Sequence, residues 1–125
     1  MQDEPTPIEL IKAVADFLRH DMLPESSGHN AFKLRVSINA LDLVTRQLTL
    51  QAGGEAAEAG RLAHLLAIHG PLAELNRALA ERIAKGEVDL QTPGLAAHLW
   101  QTTLDKLAVD QPNYASYRRE SERKE

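Results

Sequence analysis

The chain contains no cysteine, which excludes a disulfide framework and any thiolate metal site. Aromatic residues make up only 4% of its 125 positions, and β-branched residues are sparse too, so the usual material of sheets is missing. No apolar run reaches the roughly 18 residues of a membrane span. Neither GxxxxGK[ST] nor a strand-to-helix GxGxxG occurs, so the chain carries no nucleotide-binding signature of its own. The five histidines, His20, His29, His64, His69 and His98, form no HxxxH or HExxH pair, and the duplicated Glu-x-x-His of di-iron bundles is absent. No nucleophile elbow is present. No catalytic residue, metal ligand or cofactor is therefore assigned. A basic excess is missing as well: the net charge is −4, which argues against nucleic acid as a partner, because phosphate neutralisation needs a basic face. The first residues, MQDEPTP, are acidic and polar, unlike a signal peptide, and the expected location is the cytoplasm.

What is present is a Leu/Ala-rich chain, 43% hydrophobic, which suits helices around a real core. Thr6-Pro7-Ile8-Glu9 forms a helix start with capping box and N1 proline, and Ile11, Val14, Ala15, Leu18 and Met22 follow at helical spacing until Pro24 stops the helix. Asn30 to Gln51 predicts a second helix, ended by Gly53-Gly54. A third is expected over about Glu55–Ile68, with Ala59, Leu62, Leu65 and Leu66 inward. A fourth is expected over Pro71–Lys85, with Leu72, Leu75, Leu79 and Ile83 inward. Thr92-Pro93 predicts the start of a fifth helix reaching about Val109, with Leu95, Leu99, Trp100, Leu104 and Leu107 in the core. These signals predict an all-α fold, an antiparallel helical bundle of about five helices. They place a single domain over residues 1–115 and a charged, flexible tail over 116–125.

The second helix is the informative one. Ala31, Leu34, Ile38, Leu41 and Leu48 fall on one side, and Phe32, Val36, Leu43 and Leu50 on another. Between them Arg35, Asn39, Asp42 and Arg46 fall in an arc of roughly 60°. A surface helix has one apolar face; this one is apolar on both flanks of a charged ribbon, as a central helix of a bundle would be. The ribbon has two plain readings. One is a solvated face, in which an Asp42–Arg46 pair contributes about 0.3–0.5 kcal/mol. The other is a polar network that sets helix register. The functional reading is a partner- or anion-binding strip, since arginine is favoured for carboxylate and phosphate recognition and at interface hot spots. Arg35 is the strongest candidate, because Phe32 and Val36 give it an apolar surround. A second candidate edge is Lys106 to Tyr114, where Pro112 and Tyr114 form a corner after the last helix.

Patterns along residues 5–115 resemble a family of small bacterial helical proteins without a well-established function. They are Pro5 to Leu18, Phe32-x-x-Arg35-Val36-x-x-Asn39-Ala40-Leu41 with Arg46 and Leu48, Leu75-Asn76-Arg77-Ala78-Leu79 with Arg82-Ile83 and Gly86, Gly94-Leu95 through His98-Leu99, and Lys106-Leu107-Ala108-Val109-Asp110 to Pro112 and Tyr114. Where that family has Asn-Pro, this chain has Gln111-Pro112. The resemblance implies a setting beside aminoglycoside-phosphotransferase-like kinases and acyl-CoA dehydrogenases, as in levulinate-type pathways. It implies a non-catalytic accessory subunit that binds and supports a hydroxyacyl-CoA kinase, with a possible acyl-CoA contact. The alternatives are a stand-alone anion- or acyl-CoA-binding or enzymatic bundle and, further off, a self-associating module or homodimer.

Overall fold

The computed structural model describes residues 3–123. Helix α1 spans Pro7–Phe17 and runs into a π-helical turn, Leu18–Met22. Helix α2 spans Gly28–Leu66, α3 Leu72–Ala84, α4 Leu95–Asp110 and α5 Ala115–Glu122. The fold is all-α, five α-helices with no strand among the described residues. The chain divides into two compact units, residues 1–50 and 51–125, and α2 contributes its first half to one and its second half to the other.

In the first unit the predicted capping box is formed: Thr6 Oγ1 accepts from the Glu9 amide at 3.2 Å, and Glu9 Oε2 accepts from the Thr6 amide at 2.7 Å. Two hydrogen bonds from Thr6 hold the Glu9 carboxyl below its ordinary range. The π turn closes with the Leu23 amide donating to the Leu18 carbonyl at 2.8 Å. Within it, Arg19 reaches Asp16 at 3.1 Å and Asp42 of α2 at 2.6 Å. The five-residue link 23–27 is too short to cross back along a parallel neighbour, so this ion pair folds α1 back along α2 as a helical hairpin. Its fully buried apolar side chains are Ala15, Ala31 and Ile38. Val14 and Met22, which share the helical spacing of Ala15, and Leu48, on the same side as Ile38, are exposed.

The second unit has a continuous core of Leu62, Leu66, Leu75, Leu79 and Leu95, with Ala59, Leu65, Leu72, Ala78 and Val88 packed against it. These are largely the positions that helical spacing places inward. Arg82 donates to the Leu66 carbonyl at 3.1 Å, which satisfies one of the acceptors that every helix C-terminus leaves open. Just beyond, Ala67 ends α2 with a left-handed φ of 55°, a position where glycine is the unstrained choice. Gly94 takes φ 88° immediately before α4, so the observed start is two residues past the Thr92-Pro93 signal. Thr92 instead accepts from the Asp89 amide at 3.0 Å and shapes the preceding turn.

Three expectations are corrected. The helices predicted over 30–51 and 55–68 are one helix of 39 residues. Gly53 and Gly54 do not break it, because neither has a positive φ, and helical glycine costs only about 1 kcal/mol each relative to alanine. Trp100 and Leu99 lie outside the core, and so does Ile83. The inward face of α4 runs through Leu95 and His98, and Trp100 sits about 200° round from His98. Finally, residues 115–122 form α5 where a flexible tail was expected. Local pairs support it: Arg119 to Ser116 at 3.0 Å, Arg123 to Glu120 at 3.8 Å, and Ser121 to the Tyr117 carbonyl at 2.8 Å. Lys124 and Glu125, the rest of that tail, lie outside the described residues.

Candidate interaction surface

The ribbon on α2 separates into two kinds of residue. Asp42 is half-buried and bound to Arg19, so its carboxylate serves the hairpin. Arg46 is also half-buried. Arg35 and Asn39 are exposed. The inward direction of this half of the helix is set by Ala31 and Ile38. Relative to it, Phe32, Val36, Leu43 and Leu50 turn about 110–150° away. Phe32 is 60% and Val36 53% exposed, and Leu50 is exposed as well. Phe32, Val36 and Leu50 of the second apolar flank thus form an open stripe in which Leu43 is half-buried, with Arg35, Asn39 and Arg46 along its edge. The His29 ring stacks on Phe32 with centroids 6.4 Å apart and an interplanar angle of 16°, extending the aromatic end of the stripe.

Chemically, such a surface buries an apolar helix face and offers a planar, five-donor guanidinium to a carboxylate or phosphate at its rim. Arg35 and Asn39 make no side-chain hydrogen bond or ion pair among the described residues, so their donors are available to a partner. Lys106 and Tyr114, the other candidates, belong to the second unit and are both exposed.

The second unit holds a polar cluster that spacing along the chain did not single out. Arg61 of α2 donates from Nε to His98 Nδ1 at 3.5 Å, and from one terminal nitrogen to Thr102 Oγ1 and to Asp105 Oδ2, each at 3.3 Å. Gln101 Nε2 donates to Asp105 Oδ1 at 2.8 Å. His98 is only 3% exposed. It accepts through Nδ1 and is therefore the neutral Nε2–H form. Burial, then the Arg61 charge, lowers its pKa, while Glu58 opposes the shift. His98, Thr102 and Asp105 recur at i, i+4 and i+7, one face of α4. That spacing is legible in the sequence; the partner Arg61, 37 residues before His98, is not. The cluster is fully satisfied, with no unpaired buried side-chain polar atom among the described residues, and it ties α2 to α4.

An open groove of about 680 Å³ runs past the end of α2, between Gly60, His64 and His69. No group of three or more His, Asp or Glu among the described residues could hold a metal ion, and no described helix is long and apolar enough to cross a membrane. No curated protein and no solved structure matches the chain. One family model does, over residues 24–114, a segment that begins at Pro24, after α1, and takes in α2, α3 and α4. The chain therefore belongs to the family described as Domain of unknown function (DUF6285).

Proposed function

We propose that this protein is a non-catalytic accessory subunit that binds and supports a hydroxyacyl-CoA kinase of the aminoglycoside-phosphotransferase type in the cytoplasm. The observation that carries the reading is the exposed stripe of Phe32, Val36 and Leu50 on α2, edged by Arg35 and Asn39. Aromatic and arginine anchors in a partly apolar surround are the usual makings of an interface hot spot. In this reading Phe32 and Val36 are covered by an apolar face of the kinase. Arg35 and Asn39 reach a carboxylate of the kinase or a phosphate or carbonyl of its acyl-CoA substrate. Asp42 acts indirectly, by holding the α1–α2 hairpin through Arg19.

The test is co-purification with a hydroxyacyl-CoA kinase of the aminoglycoside-phosphotransferase type from the same organism, and an assay of hydroxyacyl-CoA-dependent ATP turnover with and without this protein. A stable complex is expected, with turnover that depends on the small subunit. Arg35→Ala is expected to keep the helical fold and to weaken the complex by roughly 30-fold, the scale of a hot-spot arginine. Unchanged affinity and unchanged turnover would sink the proposal. Acyl-CoA binding by the isolated protein, lost in Arg35→Ala, would then favour a stand-alone anion binder.

A further inference from the structure

The first half of α2 carries two helix-packing seams, and we infer that the open one receives an amphipathic helix of another protein, apolar along its own seam and rich in Glu and Asp on both flanks. Ala31, Leu34, Ile38, Leu41, Thr45 and Leu48 follow one another at spacings of 3, 4, 3, 4 and 3. Phe32, Val36, Asn39, Leu43, Arg46 and Leu50 do so at 4, 3, 4, 3 and 4. Each series averages the 3.5 residues by which one helix lies side by side with another. A helix with two such seams packs between two neighbours. The first seam is occupied: Ala31 and Ile38 are buried, Leu34, Leu41 and Thr45 are half-buried, and α1 is tied across by the Arg19–Asp42 pair. In the second seam Phe32, Val36, Asn39 and Leu50 are exposed, and Leu43 and Arg46 are half-buried. The inference rests on the reading of this stripe as a docking surface and states what covers it.

Charge selects the occupant, because the positions flanking such a seam set partner choice. On one flank these are Lys33, Ala40 and Gln47, and on the other Arg35, Asp42 and Thr49. Asp42 is taken by Arg19 at 2.6 Å. Lys33 and Arg35 are exposed, and their side chains make no hydrogen bond or ion pair among the described residues. Each flank therefore presents one positive charge with no carboxylate paired to it, in a chain that carries −4 overall. An acidic helix supplies the missing charge on both sides. A second copy does not, since its one carboxylate between residues 28 and 51 is the same Arg19-bound Asp42. A lipid surface fits less well. A helix lying on one sinks a broad apolar face beneath many cations, whereas the six positions of this seam span only about 80°. Asn39 within the seam is a polar position of the kind that fixes register at a cost in stability.

The test uses two synthetic three-heptad peptides with Leu along the seam, one carrying Glu and the other Lys at every flanking position. Like charges keep each peptide from pairing with itself. Fluorescence anisotropy with the full-length protein is read at physiological ionic strength, where screening sets in at about 8 Å. The glutamate peptide should bind roughly tenfold more tightly than the lysine peptide. The net charge of −4 favours the opposite order, so this preference reports the flanks. Val36→Glu should abolish binding of both peptides. The double variant Lys33→Glu, Arg35→Glu should reverse the preference with an unchanged circular dichroism spectrum, and it decides the matter if Val36→Glu misfolds. Binding of neither peptide, equal binding of both, or a preference that survives the double reversal would overturn the inference. So would a dimer of the protein alone that Val36→Glu disperses, or attachment to phosphatidylglycerol vesicles in place of the peptide. A kinase complex without the peptide preference leaves the kinase reading standing and this inference overturned; the preference without a kinase complex does the reverse.

Discussion

The two halves of α2 lie in one unbroken helix yet live in different surroundings. From Ala59 to Leu66 the helix is walled by α3 and α4: Leu62 is 0% exposed, and Arg61 is anchored to three side chains of α4. From Phe32 to Leu50 the same helix buries only Ile38 fully and leaves Phe32, Val36, Val44, Leu48 and Leu50 exposed. Helicity itself is shared; what differs is how much apolar surface has been removed from water. The second unit already holds a core, while the first is a hairpin with open apolar surface on two sides. Exposed apolar patches of this extent mark interaction sites, and for that reason both binding proposals fall on the first unit.

The largest expected effect breaks the contrast at its strongest point. Leu62→Ala should cost about 3–4 kcal/mol in denaturant unfolding, the range for a fully enclosed leucine. Phe32→Ala should cost no more than about 1 kcal/mol, since most of that ring is in water already. Equal losses would mean that the Phe32 face is enclosed in solution. Next in size is the joint between the halves. A Cβ added at Gly53 or Gly54 meets nothing within 4 Å, and neither residue needs a positive φ. Gly53→Ala and Gly54→Ala should therefore each stabilise the protein, by up to about 1 kcal/mol. A destabilised double variant would show that the helix breaks there, as the sequence alone suggests.

The smallest effect is electrostatic and confined to the second unit. Folded His98, its pKa lowered by burial and by Arg61, stays neutral while the unfolded histidine takes a proton. Stability contributed in this way is complete above the ordinary histidine pKa of 6.5 and falls as pH drops below it, until the folded value is reached. Glu58 softens the effect, and Arg61 deepens it. His98→Gln should flatten that acid limb of a stability-versus-pH curve; a limb of unchanged slope would remove His98 as its source.

Much of this was readable from residue order. The capping box at Thr6 and Glu9, the stop at Pro24 and the inward leucines of α3 are local signals, settled within one or two turns of chain. The candidate ribbon was readable as a pattern but not as a site, because spacing reports which residues share a face and not what covers that face. Gly53-Gly54 misled because glycine lowers helix stability without forbidding helix. Trp100 misled because hydrophobicity ranks a residue for burial without assigning it a direction.

Sequence by itself determined that the chain is helical, where most helices start and stop, and that α2 is apolar on two flanks, since these follow from propensity, capping and the 3.6-residue period. Tertiary structure alone decided that Asp42 belongs to Arg19, that Arg61 gathers His98, Thr102 and Asp105, and that Phe32 and Val36 are left in the open. Those outcomes depend on contacts between residues 23 to 44 positions apart, which no local period encodes.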